Sequence, residues 1–294
     1  TTPLREFTGH EDRVRAIAVF PDKRRMVTAS YDRTLRIWDL KKGVMLKKME
    51  KGGWVSALAV SRDGQLIASG DLNGVVTVWH GETGESLTGN IENYVRYTNY
   101  NRILSLDFSP HGEVLATGST DKTLKLWCTK TWELLLGKSI HFNDHVSHVR
   151  YSPSGELLAV AADGVEIYNS STRERITKLE VYTTYIAWTP DGTRLLSACI
   201  DRTILEWDTL TWQRVGDPWT TGHTDYIYAL TVDPNSTLVA SGASDNIRLW
   251  QLSDRQPVAI FQQSSASLTF SVDGKHIISG SYYTDNNTVT KWAV

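Results

Sequence analysis

Seven times along the chain a short apolar run ends in an aromatic residue, at Trp38, Trp79, Trp127, Tyr168, Trp207, Trp250 and Trp292, at intervals of 39 to 48 residues. A repeat of that period admits few architectures, because one structural unit is copied and each copy must bury its faces against its neighbours. Upstream of each aromatic lies a turn: Pro21-Asp22, Arg62-Asp63-Gly64, Pro110-His111-Gly112, Pro153-Ser154-Gly155, Pro190-Asp191-Gly192, Pro234-Asn235-Ser236 and Val272-Asp273-Gly274. Each turn separates two apolar runs. In the first unit these are Val14 to Phe20 and Met26 to Ser30, followed by Thr34 to Trp38 and Val44 to Met49. Four short strands, a to d, make one antiparallel blade.

A lone four-stranded blade cannot bury both faces, whereas a ring of blades buries them all. The expectation is therefore an all-β, seven-bladed propeller forming a single domain over 1–294, with blades near 8–50, 51–90, 91–139, 140–181, 182–217, 218–262 and 263–294 plus 1–7. The last unit stops at Trp292-Ala293-Val294, the end of its third strand, while Pro3-Leu4-Arg5-Glu6-Phe7 precedes the first complete unit. The N-terminal segment is thus expected to complete the last blade and to remove an open edge that would template aggregation.

Composition narrows the function classes. A net charge of −2 gives no broad attraction for nucleic acid, and the basic clusters at Lys23 to Arg25 and Lys41 to Lys51 read as solvated loops. Cys128 and Cys199 form neither a disulfide framework nor a zinc spacing. His141, His145 and His148 lie close in sequence, but the strand period of two puts the latter two on opposite faces, so no metal site is expected. The N-terminal residues lack a signal-peptide core and no apolar run approaches a membrane span, so the expected location is cytoplasmic, with the nucleus as the alternative.

Gly9-His10, Ser30-Tyr31-Asp32 and Trp38-Asp39 stand at the spacing of the WD40-repeat family, which the chain resembles over its whole length. The resemblance implies a hydrogen-bonded tetrad of His10, Ser30, Asp32 and Trp38. Although it contains Ser, His and Asp, this set is architectural: it ends on an indole donor and recurs in part elsewhere. Only Trp207-Asp208 repeats the dipeptide, and only Gly222-His223 repeats Gly-His. Asp71 and Cys199 are expected to replace the strand-b hydroxyl in blades two and five. Asp163 and Asp245 lie one residue nearer their aromatics, which implies shortened b–c turns, and blade four, with Tyr168 and no clear Gly-His, should be the least regular.

In a propeller of this kind the connections between blades and the b–c turns open on one face, the top. By resemblance, the slot before strand a holds Arg13, Trp54, Arg102, His145, Tyr182 and Tyr226, and the slot before the b–c Asp or its substitute holds Tyr31, Leu72, Thr120 and Ile200. The connection from blade two to blade three is about seven residues longer than its predecessor and brings Tyr94, Tyr97 and Tyr100 beside Arg96 and Arg102. Those tyrosines either meet a partner or pack the loop onto the rim. Trp54 is the strongest single candidate, since Lys51-Gly52-Gly53 stands where the capping His would sit and leaves space; the competing reading has the indole filling that gap. Trp132 and Trp212 occupy c–d turns and should pack, and Trp219 falls in the connection from blade five to blade six.

With no nucleophile, paired carboxylate or phosphate loop outside the repeats, neither catalysis nor a cofactor is expected. The expected function is a scaffold for a protein or peptide partner, with no specific nucleic acid and no membrane, acting as a monomer or within a larger complex. The alternative is a ligand- or carbohydrate-sensing module, the C-terminal sensor of a larger protein.

Overall fold

The computed structural model describes residues 2–88, 91–92, 101–135, 138–282 and 287–294. In blade one, strand a is Val14–Val19, b Arg25–Ser30, c Thr34–Asp39 and d Met45–Glu50. The a–b turn forms because the Asp22 carboxylate accepts the amides of Arg24 and Arg25 while Lys23 takes positive φ. In five other blades the corresponding positive-φ position is Gly64, Gly112, Gly155, Gly192 or Gly274, where no Cβ opposes the conformation. Strands b and c are each buried at five of six residues, and strand d keeps only Met49 inside.

Seven four-stranded sheets result, each running a-b-c-d from the central channel outward. The seventh contains Ser265–Phe270, His276–Ser281 and Val289–Ala293, and its outer strand is Arg5–Phe7. Phe7 pairs with Val289 and Arg5 with Lys291. The ring therefore closes through the N-terminal strand, as the sequence implies. Hydrophobic clusters sit between blades rather than inside them: Val27, Leu35 and Ile37 of blade one meet Val55, Leu58 and Ile67 of blade two. Packing of this sort couples every blade to its neighbours.

Three outer strands begin later than the repeat spacing suggests. Those of blades two, three and five are Ile91–Glu92, Ile140–His141 and Trp219–Thr220, so the boundaries at 90, 139 and 217 fall short of them. Each pairs only with the first two residues of its strand c, because the c–d connection occupies the far end, where Ser86, Leu134 and Arg214 bridge to Trp79, Trp127 and Trp207. Trp219 is accordingly not in the connection between blades: it pairs with Ile204 and is 3% exposed. Trp132 and Trp212 adopt positive φ in their c–d turns and pack as expected, Trp212 lying edge-on to Trp188 at 6.2 Å.

Candidate partner-binding face

The tetrad of blade one holds one surprise. His10 Nδ1 lies 2.7 Å from Asp32 Oδ2 and His10 Nε2 lies 2.7 Å from the hydroxyl of Thr28, which also accepts the Trp38 indole N–H at 2.9 Å. Thr28, not Ser30, is the tetrad hydroxyl. Both side chains share one face of strand b, but Ser30 is a residue pair nearer the turn, where it donates to the Asp12 carbonyl and accepts the Asp32 amide. Ser69 and Ser197 likewise receive the indoles of Trp79 and Trp207, so Asp71 and Cys199 do not replace the hydroxyl. Burial holds the His10 imidazole below its ordinary pKa despite the Asp32 carboxylate. The Asp32 carboxylate can only accept, so the proton on Nδ1 points to it. Burial acts to raise Asp32, and the bonds from His10, Thr34 and the Glu11 amide overcome it, keeping the carboxyl well below the usual range.

Blade six repeats the arrangement with His223, Ser241, Asp245 and Trp250. Blades two, four and seven put other side chains in the place of the histidine. In blade two Lys51 donates to Thr77 at 2.7 Å and lies 3.4 Å from Asp71. In blades four and seven Phe142 and Phe261 contact Tyr168 and Trp292 edge-on or tilted. Lys51 thus occupies the gap assigned to Trp54, whose indole is 52% exposed instead. Gly53 lets the chain pass, since a Cβ there would lie 2.7 Å from Asp71 Oδ2.

At the top end the two slots derived from the repeats meet. The amide of Tyr31 donates to the Arg13 carbonyl, Leu72 to Trp54, Thr120 to Arg102 and Ile200 to Tyr182. The same bond links Tyr282 to Ser264 in blade seven. Trp54, Tyr182, Ile200 and Tyr226 project from this rim at 52, 65, 49 and 49% exposure. His145 is pinned by a 2.7 Å bond from Nδ1 to the Thr120 carbonyl.

Inside the rim, a β-bulge follows the first residue of strand a in six blades and re-aims the next side chain toward the channel mouth. The bulged residues Arg15, Ser56, Leu104, Thr184, Tyr228 and Ala266, together with Ser147 of blade four, line an upper channel chamber of about 230 Å³. Below it is a larger chamber of about 390 Å³, and Ile17, Leu58, Leu106, Arg150 and Tyr185 line both. Aromatic contacts run along the mouth: Trp54 to Tyr31 at 6.1 Å, Tyr31 to the Arg15 guanidinium at 5.6 Å, Arg15 to Tyr282 at 5.9 Å, and Tyr282 stacked on Tyr228 at 4.7 Å. Four blades thereby share one arc. Among the described residues no group of three His, Cys, Asp or Glu side chains is arranged to hold a metal, and no helix is long and apolar enough to cross a membrane.

The family model for the WD domain, G-beta repeat, matches residues 1–39, 44–80, 93–128, 176–208 and 216–251, more than half of the chain. The chain belongs to the WD40-repeat family. Among curated proteins it is similar to human striatin, 27% identical over 86% of this chain and 36% of striatin. It is also similar to a guanine nucleotide-binding protein subunit beta of Zea mays, 34% identical over 42% of this chain and 34% of that protein. The nuclear distribution protein nudF of Emericella nidulans is 27% identical over 64% of this chain and 47% of its own length. The chain spans less than half the length of these relatives.

Against the WD40 pattern, the top-face slots bring Arg13, Tyr31, Trp54, Leu72, Arg102, Thr120, Tyr182 and Ile200 together in hydrogen-bonded pairs. Tyr226 joins through Asp225, whose carboxylate accepts the Tyr226 amide and the Ser244 hydroxyl. Tyr94, Tyr97 and Tyr100, with Arg96, lie outside the described residues. The repeat logic overlooked Arg15, Tyr228 and Tyr282. Tyr282 follows Ser281 as Tyr31 follows Ser30, but more residues separate strands b and c in blade seven, which hides the equivalence.

Proposed function

We propose that this WD40 propeller is a non-catalytic scaffold that takes a protein or peptide partner across the channel mouth of its top face. The observation that carries the reading is the continuous arc from Trp54 through Tyr31, Arg15 and Tyr282 to Tyr228, flanked by the exposed Tyr226. Rigid aromatic and arginine side chains clustered at one concave mouth have the composition of a binding hot spot. A hydrolytic reading of the His, Asp and hydroxyl set is disfavoured by burial: Thr28 is fully buried and its oxygen already receives the Trp38 indole. A net charge of −2 favours protein over nucleic acid as the partner, and cytoplasmic work fits two cysteines that are both free thiols. The test is affinity purification of the intact chain beside a Trp54→Ala/Tyr226→Ala variant of equal thermal stability. Loss of a defined set of partners is expected; an unchanged set overturns this reading.

A further inference from the structure

Arg15 is the one residue of the bulge ring whose hydrogen-bonding capacity is unspent. The hydroxyls of Ser56 and Thr184, at the same bulge position, donate to the carbonyls of Ile103 and Ile227 in the next blade. The guanidinium of Arg15 lies between the rings of Tyr31 and Tyr282, and its Nε is buried with no acceptor. It forms no hydrogen bond and no ion pair among the described residues. The chamber it lines contains a second guanidinium, Arg150, and no carboxylate. Arg150 spends Nη1 on the carbonyls of Leu106 and Val149, and Asp107, which interacts with it electrostatically, lines the lower chamber. Asp225, close to Tyr228, is engaged by the Tyr226 amide and Ser244.

A buried donor without an acceptor is unfavourable unless something supplies one, and two arginines lining a confined space whose walls hold no carboxylate favour an anion there. The rings of Tyr31 and Tyr282 flank the Arg15 guanidinium at 5.6 and 5.9 Å, and its planar fork of donors matches a planar or tetrahedral oxyanion. From this geometry we infer that the upper chamber is an oxyanion-binding site, in which Arg15 receives a carboxylate or phosphate group entering from the top face. Its volume suits one acidic or phosphorylated side chain and not a folded segment. The inference deepens the scaffold reading, since it names the group that a partner would insert at the centre of the arc.

The test is calorimetric titration of the full chain at constant ionic strength with inorganic phosphate, with Ac-Gly-Glu-Gly-NH2, with its phosphoserine counterpart, and with the neutral Ac-Gly-Ser-Gly-NH2. Phosphate and at least one acidic peptide should bind, the neutral peptide should not, and Arg15→Gln should weaken binding at least about tenfold, the loss of a charge-assisted bidentate contact. Arg15→Lys, which retains charge without the fork, should fall between, and Arg33→Gln, an exposed top-face control, should leave binding unchanged. Tighter binding of the glutamate peptide assigns a carboxylate, and tighter binding of the phosphopeptide assigns a phosphate. Absence of binding by every anion, or binding unaltered in the folded Arg15→Gln variant, overturns the site. The scaffold reading then still stands or falls separately on the Trp54 and Tyr226 purification.

Discussion

The ammonium of Lys51 lies 3.4 Å from the carboxylate of Asp71, and both side chains are 3% exposed. This pair replaces the histidine and aspartate of blades one and six, bonding also to Thr77 and the Val75 carbonyl. Burial pulls the lysine below its ordinary pKa, and Asp71 opposes that pull. Lys51→Met should therefore destabilise the protein by about 3–5 kcal/mol, because it strands a buried carboxylate. Adding Asp71→Asn should recover part of the loss, since the amide oxygen can still accept the amides of Asn73 and Val75. Urea melts of the two single variants and the double variant measure the coupling; strict additivity would show that the two charges do not act as a pair.

A second comparison separates the two hydroxyls of strand b. Thr28→Val leaves the Trp38 indole and His10 Nε2 without a buried partner and should cost roughly 2–4 kcal/mol. Ser30→Ala removes bonds at the partly wetted turn and should cost about 1 kcal/mol. Equal losses in chemical denaturation would contradict the assignment of Thr28.

The ring, its blade number and its closure were readable from sequence because seven copies of one pattern reinforce each other and leave one strand missing and one to spare. The tetrad hydroxyl is ambiguous in the sequence by two residues, because alternation puts Thr28 and Ser30 on one face and both carry hydroxyls. Ser69 and Ser197 held the correct signal, each standing ten residues before its tryptophan, as Thr28 does. Arg15 is a different case. Its aim into the channel depends on the bulge between Val14 and Ala16, a property of pairing with strand b that no local pattern reveals. The Lys51 substitution was hidden too, because a lysine among Gly residues reads as loop until Asp71 is placed beside it.

Acid should weaken the fold before the carboxylates titrate. Burial lowers the pKa of His10, His148 and His223, and Arg150 adds to the effect at His148. Below the unfolded value of 6.5 the unfolded chain takes up protons that the folded chain refuses, so stability falls as pH drops from 6.5. Each such group contributes a slope of at most about 1.4 kcal/mol per pH unit. Asp32 and Asp245, held low, keep their contribution until pH falls below the ordinary carboxylate range. Denaturation at pH 7.5, 6.5 and 5.5 should show this decline, and a flat profile would refute it. His148→Asn, which retains an acceptor for the Ile186 amide, should flatten the slope.

The closing strand is short, Arg5–Phe7, and has one buried anchor. Phe7 is 1% exposed and meets Trp38 edge-on at 5.9 Å, so the closing strand is tied to blade one as well as to blade seven. The Leu4 amide adds a 2.9 Å bond to the Lys291 carbonyl. Phe7→Ala should cost about 3–5 kcal/mol, the usual loss for a large buried ring. Deleting residues 1–8 should do more than destabilise, since it bares the edge of Val289–Ala293 as a template for pairing between molecules. Light scattering after size exclusion should then show concentration-dependent association that Phe7→Ala, which keeps the strand backbone, does not produce. A truncated chain that stays monomeric and melts within about 2 °C of the intact protein would mean that the blades hold the ring without the N-terminal strand.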